Sequence, residues 1–284
     1  MFGRCVLLLC SAVGCFQAEA AGRLAGTAGM TDAEGAAGGG ITTWALIGGY
    51  DTREQVAGNS FFTTSSTQTY HLDVSGASVG LYDRVELSYA RQHFGLGDVA
   101  PGQAINQDIF GAKVRVFGDA IADQDRALPQ VALGVMYKHN LDYAGVPQAV
   151  GAQRASDYEP YVAATKVWID GVSGRSVLLD ATLRYTRANQ FGILGFGGDH
   201  SDSRCLCWET SGAAFLSDHI VSGIEWRRKP NLLNAFQERA AYDGFVAWIP
   251  SRHLSFAAAY VDYGDIAGRT HQQGPYVSLK LDLN

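Results

Sequence analysis

The clearest pattern along the chain is a strict alternation of apolar and polar positions, repeated many times. Near the C-terminal end, Val277, Leu279, Leu281 and Leu283 alternate with Tyr276, Ser278, Lys280 and Asp282. Near residue 180, Val177, Leu179, Ala181, Leu183 and Tyr185 alternate with Leu178, Asp180, Thr182, Arg184 and Thr186. The same period of two runs through Phe110 to Val116 and through Ile220 to Arg227. Successive side chains of a strand point to opposite faces, so each segment is apolar on one face and mixed or charged on the other. Segments of about 8 to 12 residues match the roughly 9 to 11 that a tilted strand needs to cross a bilayer.

The pattern predicts strands at 23–30, 43–50, 58–66, 71–81, 84–92, 107–117, 129–138, 158–168, 176–187, 208–216, 220–228, 241–249, 254–263 and 273–283. The expected fold class is all-β: a single transmembrane antiparallel up-and-down β-barrel of about 14 strands, with 12 as the alternative. Link lengths give an independent indication. From residue 82 onward, short links (82–83, 217–219, 250–253) alternate with long ones (93–106, 139–157, 188–207, 229–240), while 118–128 and 169–175 are intermediate and fall in the short slots. Short periplasmic turns and long external loops are the habit of outer-membrane barrels, which places both termini in the periplasm. Tyr and Trp favour the headgroup level, and Trp44, Tyr50, Tyr82, Tyr89, Trp168, Tyr185, Trp226, Trp248, Tyr260 and Tyr263 are expected to form girdles there.

The N-terminus reads as a signal peptide over 1–20: Arg4, an apolar run from Cys5 to Phe16, then Ala18-Glu19-Ala20. The domain assignment is therefore 1–20 signal peptide and 21–284 barrel. Cleavage removes Cys5, Cys10 and Cys15 and leaves Cys205 and Cys207, too few for a disulfide-stapled fold. No later run is apolar for 18 residues or more, so entry into a membrane requires a closed barrel. The expected location is the outer membrane of a Gram-negative bacterium.

Composition narrows the chemistry. The 284-residue chain has net charge −6, 18% charged residues and 34 Gly. Its only basic run is Arg227-Arg228-Lys229, so no nucleic-acid partner is expected. There is no Gly-x-Ser-x-Gly elbow, no His-Glu-x-x-His helix and no phosphate loop, so no enzyme and no cofactor are expected. Cys205, Cys207 and nearby His200 fall short of a metal set, and no metal is expected.

The faces opposite the apolar ones carry Arg84, Glu86, Lys113, Arg115, Asp180, Arg184, Glu225, Arg227, Lys280 and Asp282. In a barrel these are lumen-lining candidates, either as a selectivity lining or as a structural salt-bridge network. The segment 188–199 is unusually apolar for a long external loop, and its Phe191, Ile193, Leu194 and Phe196 are loop or gate candidates. The run Gly35 to Gly40 fits either an ordinary loop or a constriction folded into the lumen.

Several blocks carry a family resemblance: Glu34 to Gly40, Trp44 to Tyr50 (WALIGGY), Tyr82 to Ser88 (YDRVELS), Asp123 to Arg126 and Ala188 to Asp199 (ANQFGILGFGGD). They resemble an uncharacterised proteobacterial family of predicted outer-membrane proteins, a domain of unknown function, over nearly the whole mature chain. The resemblance implies the barrel and no activity, ligand or catalytic residue. Gln272 to Leu279 is also similar to the terminal-strand motif read by the barrel assembly machinery, without the usual terminal aromatic. The partners expected are outer-membrane lipid, that machinery and a small-molecule solute. The functional expectation is a narrow or gated channel for small solutes, apolar ones among them. The alternative is a closed structural or interaction barrel that presents its external loops to a surface or partner.

Overall fold

The computed structural model describes residues 28–50 and 52–283. The predicted signal peptide lies outside the described residues, as does most of the predicted strand 23–30. Twelve strands form one closed antiparallel barrel. They are β3 (Val56–Ser66), β4 (His71–Leu81), β5 (Val85–Gly95), β6 (Ala104–Phe117), β7 (Gln130–Asn140), β8 (Ser156–Val172), β9 (Arg175–Thr186), β10 (Cys205–Ser217), β11 (Ile220–Arg227), β12 (Ala241–Ser251), β13 (Leu254–Asp262) and β14 (Gln273–Leu283). Each pairs with its sequence neighbours, and β14 closes the ring on β3 with Leu279 opposite Phe62. Closure leaves no free edge, the condition for a sheet in lipid.

Alternation explains the two faces. In β14, Tyr276, Ser278, Lys280 and Asp282 point inward and are buried, whereas Val277 and Leu281 on the outer face are 49% and 44% exposed. Leu87, Phe110, Leu133, Val162, Leu179, Ile224 and Val246 continue the outer apolar face. Water would penalise so much apolar surface, and a hydrocarbon layer removes that penalty. Four β-bulges, in β6, β8, β10 and β12, all lie at the end of the barrel with the shorter turns. Both ends of the wall, Val56 and Leu283, are at this end too. The opposite end carries the short turn 67–70 and the longer links 96–103, 141–155, 187–204, 228–240 and 263–272.

The count is therefore 12, the alternative value, and not 14. The predicted strand 43–50 is not in the wall, and neither are the described residues 28–30 of the other predicted strand. The stretch 28–50 lies inside the barrel, with every residue buried except Gly40, which is half-buried. A wall strand needs one face for lipid, and Trp44-Ala45-Leu46-Ile47 is buried on all sides. Three predicted girdle residues follow the same correction: Trp44, Tyr50 and Tyr263 are internal, whereas Tyr82, Tyr185, Trp226, Trp248 and Tyr260 are exposed on the outside.

Candidate functional site: the occupied lumen

The internal segment folds as a small knot. Met30–Thr31 (β1) pairs with Ala37–Gly38 (β2). The Asp32 carboxylate holds the turn between them, accepting from the amides of Glu34 (2.9 Å) and Ala36 (3.0 Å) and from the Thr43 hydroxyl (2.6 Å). Gly35 turns the chain at φ 98°, a conformation other residues rarely adopt. Gly39 passes so close to the wall that a Cβ there would collide with the Glu225 carboxylate.

The wall grips this segment largely through its backbone. Glu225 Oε2 accepts from the amides of Gly40 (2.7 Å) and Ile41 (2.8 Å), and its Oε1 accepts from Thr42 and Ser211 hydroxyls. Glu86 accepts from the amides of Ala37 (3.1 Å) and Gly48 (2.7 Å) and pairs with Lys113 (3.1 Å), which donates to the carbonyls of Ala37 and Trp44. Gln130 donates to Ala45 O (2.7 Å), Thr182 to Thr43 O (2.7 Å), Arg227 to Ile41 O (3.0 Å) and Lys280 to Gly29 O (3.1 Å). Unpaired backbone groups inside a protein are costly, and the wall's polar residues supply the missing partners.

One carboxylate of the segment joins a central charged belt, where the Thr43 hydroxyl also accepts from Arg184 (2.9 Å). Glu34 meets Lys138 (2.6 Å) on β7, Arg227 (2.9 and 3.0 Å) on β11 and Arg184 (3.6 Å) on β9. Two wall carboxylates complete the belt. Glu159 pairs with Lys138 (2.6 Å), and Glu209 pairs with Arg184 (2.5 Å) and Arg227 (3.3 Å). Apolar side chains sit on either side of the belt. Toward the short-turn end these are Met30, Trp44, Leu46, Val167, Leu178 and Phe245; toward the long-loop end, Leu72, Phe94, Ile105, Val261, Ile193 and Ile266.

The second closure comes from the 187–204 link. A short 3-10 turn, Asn189–Gly192, inserts into the mouth, with Gln190 (φ 45°, ψ 55°) and Phe191 (φ 61°, ψ 17°) both in the left-handed region. Phe191 places its ring 4.5 Å from the Arg227 guanidinium, and its carbonyl accepts from Lys138 (3.1 Å) and Gln107 (3.3 Å). The Gln190 amide donates to both Glu238 oxygens (2.8 and 3.0 Å), and Lys229 donates to Gln190 Oε1 (2.5 Å). Beneath Phe191 a crevice lined by Leu72, Phe94, Ile193 and Ile266 encloses ≈ 20 Å³, room for about one water.

The residues singled out by alternation divide clearly. Glu86, Lys113, Arg115, Asp180, Arg184, Glu225, Arg227, Lys280 and Asp282 are buried on the inner face. Arg84 is the exception: it is exposed, because it belongs to the β4–β5 turn below the barrel and not to the lumen. Ile193, Leu194 and Phe196 are buried in the inserted link, and Phe191 is half-buried. Among the described residues no cluster of three or more His, Cys, Asp or Glu could hold a metal. Sequence reasoning missed Glu34, Lys138, Glu159 and Glu209. The last three lie in strands whose inner faces could have been read by the same period, whereas Glu34 has no local signal.

No curated protein matches the sequence. Among solved structures, the NanC porin aligns at TM-score 0.47 and 11% identity, over 81% of this chain and 100% of its own. Omp33 of Acinetobacter baumannii aligns at 0.44 and 7%, over 81% and 98%. An outer-membrane channel from Pseudomonas putida F1 aligns at 0.36 and 10%, over 80% and 94%. These likenesses are weak, and the architecture rests on the strand pairing itself. The family model described as "Protein of unknown function (DUF3034)" matches residues 27–280, and the chain belongs to that family.

Proposed function

We propose that this protein is a channel for small solutes in a Gram-negative outer membrane, shut at rest by residues 28–50 and by the 187–204 link. The observation that carries this reading is how the segment meets the wall. Buried ion pairs are poor stabilisers beside apolar packing of the same volume. A barrel filled permanently would gain as much or more from aliphatic side chains. This wall instead keeps Glu86, Lys113, Lys138, Arg184, Glu209, Glu225 and Arg227 inside, all of them 5% exposed or less. Once the segment leaves, those groups become a hydrated, charged lining.

Planar bilayers test this directly. The full chain is expected to be silent or to open rarely, and a variant lacking 28–50 is expected to conduct in steady, discrete steps. A deleted variant that still shifts in mobility between unboiled and boiled gel samples, yet conducts nothing, overturns the channel. That outcome would favour the second reading, a closed barrel that presents its loops to a surface or partner. Support for the second reading comes from the ion pairs that fix the 187–204 link, Arg187–Asp157 (2.5 Å) and Arg204–Asp157 to the rim of β8 and Arg154–Asp202 to the 141–155 link.

A further inference from the structure

The central belt has an uneven charge count. Three cations, Lys138, Arg184 and Arg227, project from three alternate strands, and their side chains are 0%, 1% and 5% exposed. The wall answers them within ion-pairing distance with two carboxylates, Glu159 and Glu209. Glu34, which comes from the inserted segment, supplies the third negative charge and touches all three cations. Withdrawing the segment leaves one buried positive charge unanswered. The excess positive charge, drawn from three cations held on neighbouring inward faces, favours binding of a single anion.

The surroundings define the rest of the ligand. The Arg227 guanidinium lies 4.5 Å from the Phe191 ring centroid, and that of Arg184 lies 4.9 Å from the Tyr161 ring. Met136 Sδ is 3.3 Å from Arg184 Nη1. The cations are thus flanked by aromatic and thioether surface. A planar carboxylate suits the guanidinium and ammonium donors. A compact apolar body suits what lies beside them.

We propose that Lys138, Arg184 and Arg227 form a binding site for a small monocarboxylate with an apolar or aromatic body, and that Glu34 is its built-in competitor. The inference takes its transport meaning from the channel reading, because a solute that displaces Glu34 also loosens the closure. The binding site itself is testable without any current. The full-length Glu34→Ala protein in detergent is titrated calorimetrically with sodium benzoate, benzamide and inorganic phosphate. Benzoate is expected to bind at least about tenfold more tightly than to the parent protein. Benzamide, which keeps the ring without the charge, and phosphate are expected to bind far more weakly, and adding Arg227→Met is expected to abolish benzoate binding. If Glu34→Ala does not give the folded gel mobility, Glu34→Gln removes the charge at nearly constant volume, and the same order of affinities is required. A folded variant that ignores benzoate, or takes benzamide or phosphate as well, overturns the proposal. Benzoate binding with no conductance in the 28–50 deletion would remove the channel and leave the site. Conductance without benzoate binding would do the reverse.

Discussion

The carboxyl of Glu238, in the 228–240 link, has a side chain only 3% exposed. Burial pushes its pKa up to about 7, with Lys229 and the Gln190 amide opposing that shift. Burial likewise pushes Lys229 down, against the pull of Glu238, Asp265 and Asp262. The inserted turn hangs on this carboxyl through the Gln190 amide. Glu238 holds a proton more tightly when buried than at its ordinary value of 4.5, so its help to closure is complete below 4.5. That help is lost as pH rises through about 7. Each unit of that interval is worth about 1.4 kcal/mol. Hydrogen exchange at the Gln190 amide, corrected for intrinsic rate, should show protection falling across this interval. In Glu238→Gln the fall should vanish, and a profile the substitution leaves unchanged would separate Glu238 from closure. At this scale, alternation identifies nine inner charges from sequence and errs at Arg84, where a strand is assumed to continue into its turn. It cannot find Glu34, because its partners Lys138 and Arg227 are 104 and 193 positions away and only the finished barrel brings them together.

The inserted 187–204 link is held by two kinds of contact of unequal worth. Phe196, Leu194 and Ile193 are 0%, 1% and 3% exposed. Arg154 and Asp202 form an ion pair although their side chains are 40% and 43% exposed. The hydrogen bond to Arg154 holds the Asp202 carboxyl below the usual carboxylate range, but water screens such a pair and leaves it at most about 1 kcal/mol. Truncating a buried Phe costs about 3–5 kcal/mol. Limited proteolysis within 187–204 should therefore accelerate at least about a hundredfold in Phe196→Ala and less than about fivefold in Arg154→Ala, because cleavage tracks the opened population. Equal rates in the two variants would show that packing does not hold the link. All twelve wall strands are readable from the sequence to within a few residues, since a surface with lipid on one side and polar groups on the other imposes a period of two. The stretch 43–50 misleads for the same reason: its apolar run resembles a wall strand, but it is surrounded on every side and has no face to alternate.

At the scale of the molecule, the barrel and the segment that fills it are one chain, and residues 51–55 are the only ones between Tyr50 in the lumen and Val56, where the wall begins. A short tether holds its two ends at an effective concentration in the millimolar range. In the proposed channel the internal segment is therefore a leashed ligand, one to be dislodged but not diluted. Each opening competes against rapid recapture, so currents through the intact protein should come as brief flickers whose length does not depend on how much protein is present. A free peptide copying residues 28–50 has no such leash. Added to the deleted barrel, it should close the pore only near millimolar concentration, and closure at nanomolar peptide would show that grip, not tethering, keeps the lumen shut. In the proposed channel the five-residue leash would act as a clock: it would set how long the pore stays open, while the contacts inside the barrel would set how often.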